Sequence, residues 1–236
     1  MLIDDLLTYV SDGRPHLLAE PLAGWLASSR RFAAFVTTFR DKIRKKIRAT
    51  QDRESILDLW LELETAHALH AERTLSVQYE PKHPGQGRCP DFAVSFTTSL
   101  TFMVEVTRLR PEAGEPAAAR TAERLADVVC GKLGQLLPQH SNVVVVGVEA
   151  AGLGLPDVRA AMLRVQQRAE ANDQTLFGRH HFRDRADFFH HQQRLSEIIV
   201  RGPAPRSGEP LVWANPQARH PLPAKARTAL HRSLAG

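Results

Sequence analysis

The stretch PDFAVSFTTSLTFMVEVTRLR, residues 90 to 110, constrains this chain more than any other part of it. Two runs of alternating apolar residues flank Thr97-Thr98-Ser99, the pattern of two half-buried strands and a reversal. If the chain turns there, Phe92 faces Val104, Val94 faces Phe102 and Phe96 faces Leu100, which gives one face continuous apolar cross-strand pairs. Side chains alternate along a strand, so the opposite face carries Asp91, Ala93 and Ser95 against Glu105, Met103 and Thr101. Asp91 then lies across from Glu105. The turn lacks the Gly or Asn that would pin it, and a slip of one residue would put the two acids on different faces.

Opposed residues have Cβ atoms about 4.5 to 5.5 Å apart, and two like charges so close are destabilising unless a proton or cation lies between them. Two carboxylates on a rigid hairpin suit Mg²⁺ or Mn²⁺, which accept one or two carboxylates and fill the remaining positions with water and phosphate oxygens.

The surrounding pattern is α/β. Residues 1 to 28 read as short helices broken near Gly13-Arg14-Pro15 and Pro21. From Ser29 a longer helix carries Phe32, Phe35, Val36, Phe39, Ile43 and Ile47 on one face. Arg40, Lys42, Arg44, Lys45, Lys46 and Arg48 fill its other surface, either as a solvated face or as a contact for nucleic-acid phosphates. A second helix spans about Arg53 to His70. Strands follow at Thr74 to Tyr79, Phe92 to Phe96 and Leu100 to Leu109, then a helix from Ala117 to Leu137. The valines of Asn142 to Ala150 predict a strand buried on both faces. Pro156 opens a further helix to about Asn172. Leu195 to Arg201 and Leu211 to Ala214 read as short strands, and Pro223 begins a closing helix. The order helix, three strands, helix, strand predicts an α/β sandwich with a mixed sheet. Residues 1–52 read as an N-terminal helical extension and 53–236 as the α/β domain.

Charge and cysteine content narrow the function. The net charge of +5 is compatible with a polyanion partner. Cys89 and Cys130 lack the spacing of a zinc site or a disulfide framework. No apolar run approaches the roughly 18 to 20 residues of a membrane span, and the first residues, MLIDDLLTYV, are acidic where a signal peptide is positive. A cytoplasmic protein is expected.

Pro90-Asp91, the hairpin and Glu105-Val106-Thr107 together resemble the PD-(D/E)XK motif of the restriction-endonuclease-like superfamily. The elements from about 53 to 150 resemble that superfamily's αβββαβ core. KIRKKIR and WANPQARHPLP are also similar to segments of a bacterial group within it. The resemblance implies a metal-dependent nuclease acting on DNA or RNA, with Asp91 and Glu105 as metal ligands and a glutamate on the helix before the hairpin. Glu64, in line with Leu57, Leu61 and Ala68, is favoured over Glu62. One departure stands out: Thr107 occupies the place of the family's lysine, and its neutral hydroxyl supplies no positive charge. Lys132 on the next helix is the preferred substitute, with Lys82 as the other. The alternative reading is a member that has lost catalysis and serves as a nucleic-acid-binding or protein-interaction module.

Two other signals are set aside. His180, His181, His190 and His191 lack a partner acid or cysteine at a metal-ligand spacing. Gly152-Leu153-Gly154 precedes a helix, but Asp157 stands where a dinucleotide fold needs its third glycine.

Overall fold

The computed structural model describes residues 3–13, 16–50, 52–81, 89–111, 118–149, 153–202 and 210–235. Three helices come first: α1 (Ile3–Ser11), α2 (Ala19–Ser28) and α3 (Arg30–Ala49). Then follow α4 (Arg53–Ala71), β1 (Leu75–Tyr79), β2 (Phe92–Phe96), β3 (Leu100–Leu109), α5 (Ala118–Leu133) and β4 (Asn142–Val148). The chain continues through α6 (Leu155–Glu170), α7 (Gln174–His180), α8 (Arg185–Gln192), β5 (Leu195–Arg201), β6 (Leu211–Ala214) and α9 (Ala224–Leu234). The strands form one mixed six-stranded sheet in sequential order. β3, β4 and β5 run parallel, and the other neighbours are antiparallel. Among the described residues no helix is long and apolar enough to cross a membrane.

Strand alternation sorts the core into two layers. Phe92, Val94, Phe102, Val104, Val106, Val143, Val145 and Ile199 pack with α1 to α4 and α9. Val144, Val146, Ile198 and Val200 pack with α5 to α8 on the other face. β4 is buried along its whole length, as its unbroken valines predict. Leu6, Val10, Leu22, Phe32 and Phe35 of the N-terminal helices belong to the same apolar cluster as the first sheet face.

Helix α4 is fixed at both ends and along its middle. Asp52 caps its start by accepting the Ser55 N–H at 2.9 Å. Near that end Arg108 of β3 bonds Asp58 at 3.1 Å and Glu149 at 2.8 Å, and also pairs with Glu54. At the far end Arg31 donates to the carbonyls of His70 at 2.9 Å and Glu72 at 2.7 Å, satisfying groups that a helix end leaves open. In the middle, a Cβ on Gly147 of β4 would lie 2.6 Å from Leu61 Cδ2, so the end of the Leu61 side chain occupies the space that the glycine leaves.

Some boundaries differ from the sequence expectation. Helix α5 stops at Leu133, and Gln135 and Leu136 donate back to Lys132 and Leu133 in a tightened turn. Between α6 and β5, α7 and α8 are separate helices, each with a capping aspartate legible in the sequence. Asp173 accepts from Thr175 and Leu176, and Asp184 from Asp187.

Candidate active site

The β2–β3 hairpin has the register expected from its apolar pairs: Phe92 opposite Val104, Val94 opposite Phe102, Phe96 opposite Leu100. Thr97 adopts a left-handed φ of 53° in the turn, which supplies the reversal without a glycine. Asp91 lies one residue before the ladder begins. Its carbonyl accepts the Glu80 N–H at 2.8 Å, and its Oδ2 accepts the Val106 N–H at 2.7 Å. The side chain thus satisfies a donor of β3 just past the last ladder pair.

Glu105 is on the α5 face of β3 and is only 3% exposed. Lys132 reaches it from α5, with Nζ 3.3 Å from Glu105 Oε2. Burial, the Glu105 carboxylate and Glu62 push the Asp91 carboxyl well above its ordinary range, against the pull of the Val106 N–H and of Lys132. Asp91 therefore holds a proton more readily than a solvated aspartate, the signature of a crowded acidic site.

Of the two candidate helix acids, Glu62 is the one whose charge bears on Asp91, rather than the favoured Glu64. Glu64 instead meets Arg201 of β5 at 3.4 Å. The two side chains leave the helix about 200° apart, so a single packing choice decides between them. Glu62 bonds Lys46 at 2.6 Å, and its charge bears on both Asp91 and Tyr79. Thr107 sits beside Val146 on the parallel neighbour strand, two residues along from Glu105. Lys82 lies outside the described residues.

The basic run of α3 divides in two. Arg44 and Arg48 both pair with Asp12, and these guanidiniums, Arg48 most strongly, lower the Asp12 carboxyl to about 2. Arg40 lies over the Tyr9 ring at 5.3 Å and beside Asp41. These three arginines are spent within the N-terminal helices, and Lys45 is exposed. Lys42 and Lys46 instead turn to Glu80, at 3.1 Å and 2.6 Å, and stand over the Tyr79 ring. Phe39 has non-helical backbone angles and kinks α3 just before them. Tyr79, Glu80 and the pairing of Lys46 with Glu62 and Glu80 were not anticipated. The four-residue spacing of Lys42 and Lys46 is the only local signal for them.

The two signals set aside have structural uses. His180 and His191 pair singly with Asp127 and Asp187. Asp157 accepts the Gly154 N–H at 2.9 Å and caps α6, while Gly152 is outside the described residues. Among the described residues no group of three or more His, Cys, Asp and Glu side chains is arranged to hold a metal. The Asp91–Glu105 pair is thus two carboxylates rather than a full protein cage, an arrangement Mg²⁺ accepts because it retains water.

Fold and site define a mixed α/β protein in which the Asp91 and Glu105 carboxylates bear on each other, with Glu62 of α4 and Lys132 of α5 beside them. No protein-family model matches the chain, and neither the curated proteins nor the solved structures contain a match to it.

Proposed function

We propose that this is a metal-dependent nuclease of the PD-(D/E)XK kind, hydrolysing phosphodiester bonds of DNA or RNA in the cytoplasm. The observation that carries the reading is the pairing of Asp91 with the nearly buried Glu105, with Lys132 at 3.3 Å supplying the charge that Thr107 lacks. The donor set fits a hard divalent ion. Its oxygens belong to two mutually repelling carboxylates, and Asp91's raised proton affinity reflects burial first and that repulsion second.

Asp91 and Glu105 would hold Mg²⁺ or Mn²⁺. When bound, such an ion supplies Lewis acidity, making a water more acidic and neutralising charge on the phosphodiester. The chain's own groups do the rest. Val106 N–H fixes the Asp91 carboxylate. Lys132 orients Glu105 and places positive charge on the α5 side, where charge builds on the phosphoryl oxygens. Glu62 adds negative charge beside Asp91 from α4, favouring a cation there.

The test is incubation of the purified chain with DNA and RNA in Mg²⁺ and in Mn²⁺, beside Asp91→Ala and Glu105→Ala. Cleavage lost in both variants supports the assignment, and cleavage untouched by them defeats it. A second reading, a non-catalytic nucleic-acid-binding or protein-interaction module, is favoured by Thr107 alone. Absence of cleavage on every substrate, with salt-sensitive nucleic-acid binding, selects it.

A further inference from the structure

A second lysine serves the carboxylates, and it comes from α3 rather than from the hairpin or α5. Lys46 Nζ lies 2.6 Å from Glu62 and 2.6 Å from Glu80, and 4.8 Å from the centre of the Tyr79 ring. Burial opposes its charge, yet Glu62 and Glu80 raise the ammonium above its ordinary value, so it stays charged. Lys42, one turn earlier, stands 5.2 Å from the same ring and 3.1 Å from Glu80. Glu80 itself is held in a left-handed backbone conformation, φ 42°, with its N–H on the Asp91 carbonyl. Such a conformation is costly for a residue other than glycine and persists where the surroundings impose it.

Tyr79 gives this cluster a direction. The residue is 1% exposed, and its hydroxyl is enclosed beside Glu62. It faces Glu62, Glu80 and Asp91, whose charges add to burial in making its ionisation harder. It therefore remains a neutral O–H, and its ring forms the apolar floor beneath the two ammonium groups.

We propose that Lys46 is a substrate-binding residue of this site, exchanging Glu62 for a phosphate of the nucleic-acid backbone. The inference rests on the reading of the site as one for phosphodiesters. In the free protein Lys46 balances the acids. Asp91 and Glu105 would hold a divalent ion, and its positive charge would compete with the Lys46 ammonium for the neighbouring acids. Lys46 is then available to the polyanion, and Lys42 at the rim assists it.

The probe is a fluorescein-labelled oligonucleotide, single-stranded and duplex, titrated by anisotropy across a salt series in Ca²⁺. Lys46→Met is expected to weaken binding and to flatten the slope of log affinity against log salt by about 0.7 to 0.9, the share of one phosphate contact. Lys46→Arg is expected to retain the slope. In a separate calorimetric titration without nucleic acid, Lys46→Met is expected to bind Mn²⁺ at least as tightly as the parent, because a competing cation is gone. Opposite effects on the two ligands are not produced by a residue that merely fastens α3 to α4. An unchanged slope in a folded Lys46→Met, or weakened binding of both ligands, overturns the proposal.

Should that variant fail to fold, Glu80→Gln replaces it. Freeing Lys42 and Lys46 from one acid is expected to tighten oligonucleotide binding several-fold, and unchanged or looser binding refutes the exchange. The underlying reading fails separately. Lys46-dependent binding without cleavage defeats the nuclease and upholds the contact. Cleavage through Asp91 and Glu105 with no effect of Lys46 does the reverse.

Discussion

Lys132 Nζ lies 3.3 Å from Oε2 of Glu105, so a cation from α5 reaches the strand face on which Thr107 offers none. If Lys132 replaces the missing strand lysine, Lys132→Met lowers the cleavage rate by about 10² to 10³, the usual cost of one charge-stabilising donor. Thr107→Lys added to that variant restores part of the rate. Single-turnover rates for the three proteins decide it, and a Lys132→Met enzyme as fast as its parent would remove Lys132 from the site.

Glu62 and Glu64 separate by experiment. Glu62→Gln is expected to lower cleavage and to change the response to Mn²⁺ concentration, because its charge bears on Asp91. Glu64→Gln breaks only the contact to Arg201, and its effect is expected in thermal melts rather than in rate. The reverse pattern would return the role to Glu64.

Asp91 has two duties that two substitutions tell apart. Asp91→Asn keeps an oxygen for the Val106 N–H while removing a charge that crowds Glu105 and Glu62. It is expected to be inactive yet at least as stable as the parent at neutral pH. Asp91→Ala leaves a backbone donor of β3 unsatisfied, at a cost of about 1 to 3 kcal/mol. Urea denaturation of both variants reads the difference.

His70 makes stability depend on acid. It is buried among Phe32 and Phe35, and neither ring nitrogen has a hydrogen-bond partner. Burial, then Arg31 and His67, lowers it from 6.5 to about 4. Above 6.5 both folded and unfolded chains carry the neutral ring, and its contribution is fully present. As pH falls from 6.5 towards 4 the unfolded chain takes up the proton first, so stability is lost across that window. His70→Phe is expected to flatten the dependence between pH 6.5 and 4.5 in denaturant titrations. An unaltered slope would show that other groups set it.

Gly147 tests how α4 is seated. Gly147→Ala places a methyl 2.6 Å from Leu61 Cδ2 and is expected to destabilise by about 1 to 3 kcal/mol through overpacking. Adding Leu61→Ala removes that clash, so the double variant should lose less than the two single losses together. Denaturation midpoints across the double-mutant cycle measure the coupling.

The mixed α/β character, the apolar pairs of the hairpin and the doubly buried β4 were legible in the sequence by itself. These follow from period-two alternation, where shifting by one residue exposes an entire apolar face. The sequence did not determine which glutamate of α4 joins the site, because Glu62 and Glu64 differ only by the helix's rotation. Arg108, Arg31 and the Gly147–Leu61 approach set that rotation, and all three act between elements distant in the chain. Nor could it divide the α3 basic run into arginines held by Asp12 and lysines drawn to Glu80, since the partner acids are far from them in sequence. Local pattern fixes which side of an element is apolar; only packing decides which charged groups meet across the gap between elements, so Lys132, already a candidate in the sequence, gains its contact with Glu105 there, and Glu62 and Lys46 gain each other.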